Sequence, residues 1–355
     1  MPLIAHNNLP TYDRLLDEGR VVLPPDRAYG QDIRELHIGF LNMMPDAALE
    51  ATERQFFRLI GESNRIAQFH IHPFTVETFH RSQKTKDHIN QYYDSWEQIK
   101  EDGLDALIVT GANEETNPYI NQEEFWSPLF EVLEWAHENV TSTICSCLAS
   151  HAAVQTLYDA KPAMRSSKRW GVFPHRVLDR RHPLCKGMNT VFDAPHSRYS
   201  ELSREDFEKA GLKILVESED AGVHVAVSPD GFRLICMQAH PEYDIHSLLK
   251  EYRREVDRFI KEEREDYPPI LERYFNEDVK KKLNAFQEGV VSGQITSIDD
   301  FPESEIEQQL DCTWRDSARA MMGNWIGSVY QVTHVDRKKP FMDGINPDDP
   351  LNWRY

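Results

Sequence analysis

The chain has 355 residues, with 40 Lys or Arg against 59 Asp or Glu, a formal charge of −19 at pH 7. That acid excess argues against a partner held by its nucleic-acid phosphates, and no run of about eighteen apolar residues exists to cross a membrane. With 40% hydrophobic and 10% aromatic residues the chain can bury a core of its own, and its length suits one large domain with an appendage. The opening Met1-Pro2-Leu3-Ile4-Ala5-His6-Asn7-Asn8 lacks the charged-then-apolar pattern of a secretory signal, so a soluble, cytoplasmic protein is expected. The cysteines, Cys145, Cys147, Cys185, Cys236 and Cys312, are odd in number and form no CxxC pair. Neither a disulfide framework nor a metal site is expected from them; a reactive thiol is.

Residues 1–33 are polar with scattered prolines (Pro2, Pro10, Pro24, Pro25) and read as a leader that wraps or extends rather than as core. The apolar run 36–44 reads as a buried strand stopped by Pro45. Between 46 and 60, Leu49, Phe56, Phe57 and Ile60 recur at helical spacing. Residues 66–74 alternate with period two and give a half-buried strand whose polar face carries His70 and His72. Two histidines without a third ligand nearby in sequence read as a solvated face rather than as a metal site.

A strand over 105–111, a helix around 125–138, a short strand through 143–145 and an apolar helix over 148–157 follow. Strand and helix in alternation predict an α/β fold, a mostly parallel sheet with helices on both faces and ligands at the carboxyl ends of the strands. Strand-like pieces come next at 171–173, 190–192, 212–216, 223–227 and 232–237, with Pro229-Asp230-Gly231 as a hairpin turn. A long charged helix spans about 245–263, and Pro268-Pro269 closes it. Residues 270–310 are dense in charge and read as a solvated, partly helical connector. Ala318, Met321, Met322, Trp325, Ile326, Val329 and Tyr330 form the stripe of a C-terminal docking helix. The chain thus divides into a leader (1–33), a catalytic domain (34–265), a charged connector (266–310), a docking helix (311–336) and an irregular tail (337–355).

Cys147 falls where the strand ending at Cys145-Ser146 turns directly into a helix of small residues. A thiol there projects from the carboxyl edge of the sheet, near the positive end of a helix dipole, and the next backbone N–H, that of Leu148, is placed to hold an oxyanion. Cys145, two positions earlier, reads as an inert core residue, as many buried cysteines do. After the strand 234–237 comes His240-Pro241-Glu242, a base and a carboxylate two residues apart. Extended spacing lets Glu242 fix one imidazole nitrogen while the other faces the site. Alone, this segment reads equally well as the start of a helix capped by Asp244; together with Cys147 it favours a nucleophile, base and acid set.

The segments Leu41-Asn42-Met43-Met44-Pro45, Thr110-Gly111-Ala112, Cys147, Pro195-His196-Ser197-Arg198-Tyr199 and His240-Pro241-Glu242-Tyr243-Asp244 resemble the homoserine O-acyltransferases of the MetA type. That family shares the flavodoxin-like fold of class I glutamine amidotransferases. The resemblance runs from about 31 to 258 and returns in Trp314-Arg315 and between Asn324-Trp325 and Tyr330-Gln331. It implies that Cys147 carries an acyl-thioester, that His240 accepts the proton with Glu242 as its partner, and that Lys168, Ser197 and Arg254 contact the amino-acid substrate. An α-carboxylate suits Lys or Arg. It implies acyl-CoA and L-homoserine as substrates, no separate cofactor, a place in methionine biosynthesis, and the homodimer common among similar proteins.

In the family the residue at the place of Glu115 separates acetyl from succinyl donors. A carboxylate there would repel the free carboxylate of succinyl-CoA, so an O-acetyltransferase is expected, with an O-succinyltransferase as the alternative. A serine O-acyltransferase, a glutamine amidohydrolase and a non-catalytic binding module on the same fold are the other readings. Against the amidohydrolase, Cys147 is flanked two positions away by Cys145 and Ala149 rather than by the glycines usual there.

Overall fold

A computed structural model describes residues 3–30, 33–64, 66–76, 81–112 and 123–352, the side chains of 123–125 excepted. The first half of the chain builds β1 (Leu3–Ile4), α1 (Pro10–Asp17), β2 (Val22–Leu23), α2 (Pro25–Tyr29), β3 (Glu35–Leu41), α3 (Leu49–Ser63) and β4 (Gln68–Phe74). Next come α4 (Gln83–Tyr92), α5 (Trp96–Asp102), β5 (Ala106–Val109), α6 (Glu123–Asn139), β6 (Ser142–Ser146) and α7 (Leu148–Tyr158). Caps sit where the residue types favour them: Ser82 and Ser95 accept from the third residue onward at the starts of α4 and α5.

The second half adds the long strand β7 (Ala163–Val177), β8 (Val191–Glu201), α8 (Arg204–Lys209), β9 (Lys213–Ser218), β10 (Gly222–Val227) and β11 (Leu234–Met237). It ends in α9 (Ser247–Ile260), α10 (Glu277–Val291), α11 (Glu303–Glu307) and α12 (Arg315–Val332). The expected turn joins β10 to β11 antiparallel, with the Asp230 carboxylate accepting from the N–H groups of Phe232 and Arg233.

All eleven strands form one sheet in the order β2-β1-β4-β3-β5-β6-β11-β10-β9-β7-β8. From β2 to β11 neighbours run parallel; from β11 to β8 they run antiparallel. Each face of the parallel part is covered. Phe40 and Ile38 pack with Phe56, Phe57 and Ile60 of α3 and with Met322, Trp325 and Ile326 of α12. Leu107 and Val109 pack on the other side with Leu129 and Val132 of α6 and Ala149 and Ala152 of α7. The docking helix therefore packs by its stripe, except that Tyr330 is exposed and Val332 buried in its stead, and its Trp325 indole N–H donates to Ser142 Oγ at 2.8 Å.

Three expectations need correction. The leader is built into the sheet: β1 pairs with both β2 and β4, and Leu3, Ile4, Leu9, Tyr12 and Leu15 are buried. Short strands and helices of few residues leave too little periodicity to read.

The connector over 266–310 is not solvated throughout. Val279, Leu283, Phe286 and Val290 form a buried stripe on α10, which packs with Leu271, Phe275 and Phe301 against Trp170, Leu249 and Tyr252. Its four-and-three spacing was hidden among charges that cover only the outer side. The segment is stitched to β7 where Val172 N–H donates to Glu272 O at 2.9 Å and Glu272 N–H to Trp170 O at 3.0 Å. A side chain on Gly171 would put its Cβ 2.2 Å from Glu272 O, so only glycine permits this approach.

The polar face of β4 is covered as well. His70 is 4% exposed, with the His37 and His6 rings 4.7 and 5.0 Å from its own. The tail lacks regular structure but is anchored, with Phe341 buried and Met342 N–H donating to Val332 O at 2.9 Å.

Candidate active site

The carboxyl ends of β5, β6 and β11 meet at one edge, and the loops leaving them carry Gly111, Cys147 and His240. Cys147 turns the chain from β6 into α7 with φ 51° and ψ −118°, a region that a side-chain-bearing residue occupies at a cost of about 1–3 kcal/mol. The surrounding ladder enforces it: Cys147 N–H donates to Met237 O of β11 at 2.6 Å. The consequence is a thiol at the head of the helix, with Leu148 as the first helical residue, whose N–H has no acceptor four residues back within α7. Gly111 gives the thiol room, since a Cβ there would lie 3.3 Å from Cys147 Cβ and 3.6 Å from Ser146 O.

His240 is held from three sides. Its N–H donates to Pro195 O at 2.8 Å, its ring stacks on Tyr243 at 4.3 Å, and its Nδ1 lies 2.7 Å from Glu242 Oε1. Cys147 lines the same cleft as His240, close enough for its charge to act on the imidazole. Burial alone would lower the pKa of His240, but the Glu242 carboxylate and Cys147 outweigh it and hold the value well above the ordinary 6.5. Cysteine, imidazole and carboxylate are thus brought together as expected, all nearly buried. Cys145 has the opposite environment: burial drives its pKa well above the ordinary 9.0, which keeps it a neutral thiol in the core.

Lys168, Ser197 and Arg254 line the same cleft, of about 300 Å³, as Cys147 and His240. Lys168 Nζ lies 4.3 Å from the centre of the Trp170 ring, and Ser197 follows Pro195 and His196 on β8. Arg254 is at the rim, its side chain 49% exposed and its Nε 3.3 Å from Glu255 Oε1. Arg54 and Lys250 add two further cations to the lining. Glu115 lies outside the described residues.

Sequence reasoning missed the group that organises this cleft. Glu251, on α9, accepts from Ser197 Oγ at 2.6 Å, Tyr243 OH at 2.6 Å and the Trp170 indole N–H at 3.0 Å, with Lys168 Nζ at 3.5 Å. Burial opposes its ionised form, but Lys168 and the hydroxyls of Ser197 and Tyr243 overcome this and set its pKa below the ordinary 4.5. In the sequence Glu251 is one acid among many on a charged helix. Only its place three residues before Arg254, on the same side of a helix, hinted at it.

The family model for homoserine O-succinyltransferase matches residues 2–335. A homoserine O-succinyltransferase of Methylobacter tundripaludum is 56% identical over 99% of this chain and 99% of its own. One from Nitrosococcus oceani is 55% identical over 100% of this chain and 99% of its own. Among solved structures, a glutamine amidotransferase from Methylobacillus flagellatus superposes with a TM-score of 0.42 at 12% identity, covering 83% of this chain and 95% of that one. With relatives so similar along nearly the whole length, and with thiol, imidazole and carboxylate assembled at one sheet edge, the chain belongs to the homoserine O-succinyltransferase family.

Proposed function

We propose that this acyl-CoA:homoserine O-acyltransferase uses succinyl-CoA and releases O-succinyl-L-homoserine, by a ping-pong reaction through Cys147. This replaces the acetyl donor expected from Glu115, because the similar proteins are named O-succinyltransferases. The observation that carries the mechanism is Cys147 and His240 lining one cleft rich in cations, with Glu242 hydrogen-bonded to His240. Arg54, Lys168, Lys250 and Arg254 outnumber the acids there, which suits substrates bearing carboxylates and phosphates.

The Cys147 thiolate attacks the thioester carbonyl, and the Leu148 N–H faces the oxygen that becomes negative. Collapse breaks the bond to the CoA sulfur, which leaves with the proton held by His240. Cys147 is now succinylated and His240 neutral. Neutral imidazole, steadied by Glu242, takes the proton of the homoserine hydroxyl as that oxygen attacks the enzyme thioester. Expulsion of the Cys147 thiolate beside the reprotonated His240 restores the starting pair. Lys168 and Arg254 pair with the α-carboxylate of homoserine, and Glu251 holds Ser197, Tyr243 and Lys168 in register as a positioning residue. The ester product is a substrate for displacement by sulfur nucleophiles, as methionine biosynthesis requires.

Two measurements test the reading. Mass spectrometry after mixing with succinyl-CoA alone is expected to find one succinyl group on Cys147. CoA release is expected to be fastest with succinyl-CoA and homoserine, slower with acetyl-CoA or with serine. A higher kcat/KM for acetyl-CoA would restore the acetyl reading, and ammonia release from glutamine would replace acyl transfer altogether.

A further inference from the structure

At the amino end of β3, away from the cleft, imidazoles crowd together. Glu35 and His37 are the first and third residues of β3, and His70 and His72 the third and fifth of β4. Parallel register sets His37 directly beside His70, so all four side chains share one face of the sheet. His6, just after β1, closes over them, its ring 5.0 Å from that of His70 and 5.2 Å from that of His72. None of these residues lines the catalytic cleft.

Hydrogen bonds decide where the ring protons sit. His72 Nδ1 lies 2.9 Å from Asp94 Oδ2, and a carboxylate can only accept, so that nitrogen donates. His72 Nε2 lies 2.8 Å from His37 Nδ1, so a hydrogen-bonded relay runs from Asp94 through His72 to His37. His37 Nε2 is the nitrogen left outside that relay, and it faces Glu35 Oε2 at 3.7 Å. His70 Nε2 is buried, has no hydrogen-bond partner among the described residues, and faces the same Glu35 oxygen at 3.3 Å. Two imidazole nitrogens and a carboxylate oxygen therefore converge, a donor set that suits a cation.

The dimensions agree. Bonds of about 2.0–2.1 Å in a tetrahedral site put neighbouring ligand atoms about 3.3 Å apart. Two of the three separations are 3.3 and 3.7 Å, and all three ligand atoms lie within 4.8 Å of one another. A small side-chain rotation closes the third edge. Second-shell support is already present, since the relay from His37 through His72 to Asp94 is what orients a metal-binding imidazole and raises its basicity. The Glu35 and His37 side chains are 28% and 19% exposed, which leaves a way in from solvent and an open fourth position.

We propose that Glu35, His37 and His70 bind one divalent transition-metal ion of the zinc class, with water as fourth ligand, at a site separate from the catalytic thiol. Two imidazoles and one carboxylate suit Zn²⁺ or Co²⁺ rather than Mg²⁺ or Ca²⁺, which take oxygen ligands. Bound there, the ion staples β3 to β4 beneath the segment carrying His6.

The experiment uses the full chain as Cys147→Ala, which removes the competing thiol, stripped with a chelator and titrated with Co²⁺ and Zn²⁺. One equivalent is expected to bind with a Kd below about 10 μM, with the visible absorption of tetrahedral Co²⁺ and a thermal midpoint raised by Zn²⁺. Adding Glu35→Gln or His70→Asn should weaken binding at least about tenfold and remove the absorption band. Both substitutions made with Cys147 intact should leave acyl transfer unchanged, which shows that the chain is folded. Absence of saturable binding by about 0.1 mM metal, or binding that neither substitution weakens, overturns the proposal.

Discussion

Glu242→Gln keeps the shape of the side chain and removes its charge. The carboxylate oxygen lies 2.7 Å from His240 Nδ1, and the two residues are 6% and 5% exposed. At an effective dielectric constant of about 20, full charges at that distance attract by about 6 kcal/mol. A neutral hydrogen bond returns about 1–2 kcal/mol of this. The protonated imidazole is then less stable by about 4–5 kcal/mol, and acyl transfer that depends on it should fall about 10³- to 10⁴-fold. The assay is kcat/KM from CoA release, joined to unfolding at a series of pH values.

The pH dependence has a definite sign. His240 in the folded chain has its pKa above the ordinary 6.5, so its contribution to stability is complete below 6.5 and is lost as pH rises through the folded value. Wild type should lose stability over that alkaline limb, and the variant should show a flatter one. Activity within about threefold of wild type, or an unchanged alkaline limb, would refute the assignment of Glu242 as the partner of His240.

Cys147→Ala and Cys147→Ser should each abolish the succinyl adduct seen by mass spectrometry and lower CoA release by at least about 10³-fold. Gly111→Ala places a methyl carbon 3.3 Å from Cys147 Cβ, and a displaced thiol should cost up to about 10² in kcat while the thermal midpoint hardly moves. Gly171→Ala drives a Cβ to 2.2 Å from Glu272 O and should destabilise the chain by about 3–5 kcal/mol, read from denaturant midpoints. Glu251→Gln should flatten the acid limb of the stability profile, because a carboxyl held below its ordinary 4.5 contributes fully above 4.5 and loses its contribution as pH falls through the lower folded value. The same variant should raise KM for homoserine, measured by initial rates, as Lys168 and Ser197 lose their common acceptor.

The alternation of strands and helices between 36 and 157 was legible because central parallel strands are continuous apolar runs and their helices have one apolar side. Cys147, His240 and Glu242 were legible because each stands directly after a strand, where chemistry on such sheets gathers. Glu251 was not, since what singles it out is the convergence of Ser197 from β8, Trp170 from β7 and Tyr243 from the loop before α9. The imidazole cluster escaped for a related reason. His70 and His72 share a strand, but Glu35 and His37 come from the neighbouring one, and pairing register is not written in either alone. On α10 the stripe of Val279, Leu283, Phe286 and Val290 was present all along, masked by its charged surroundings.

The packing of α12 on α3 has a bearing on how the molecule comes into being. Arg319 pairs with Glu62, and the two are 257 positions apart, while Met322, Trp325 and Ile326 fill the hydrophobic layer that Phe56, Phe57 and Ile60 begin. During synthesis at about 5–20 residues per second, the early half leaves the ribosome with that layer uncovered for about 10–50 s. A nascent chain in that interval exposes aromatic surface to every other nascent chain around it. Loss of the segment 315–332 should make the interval permanent, so that such a product is found in inclusion bodies or bound to chaperones rather than as a weakened enzyme.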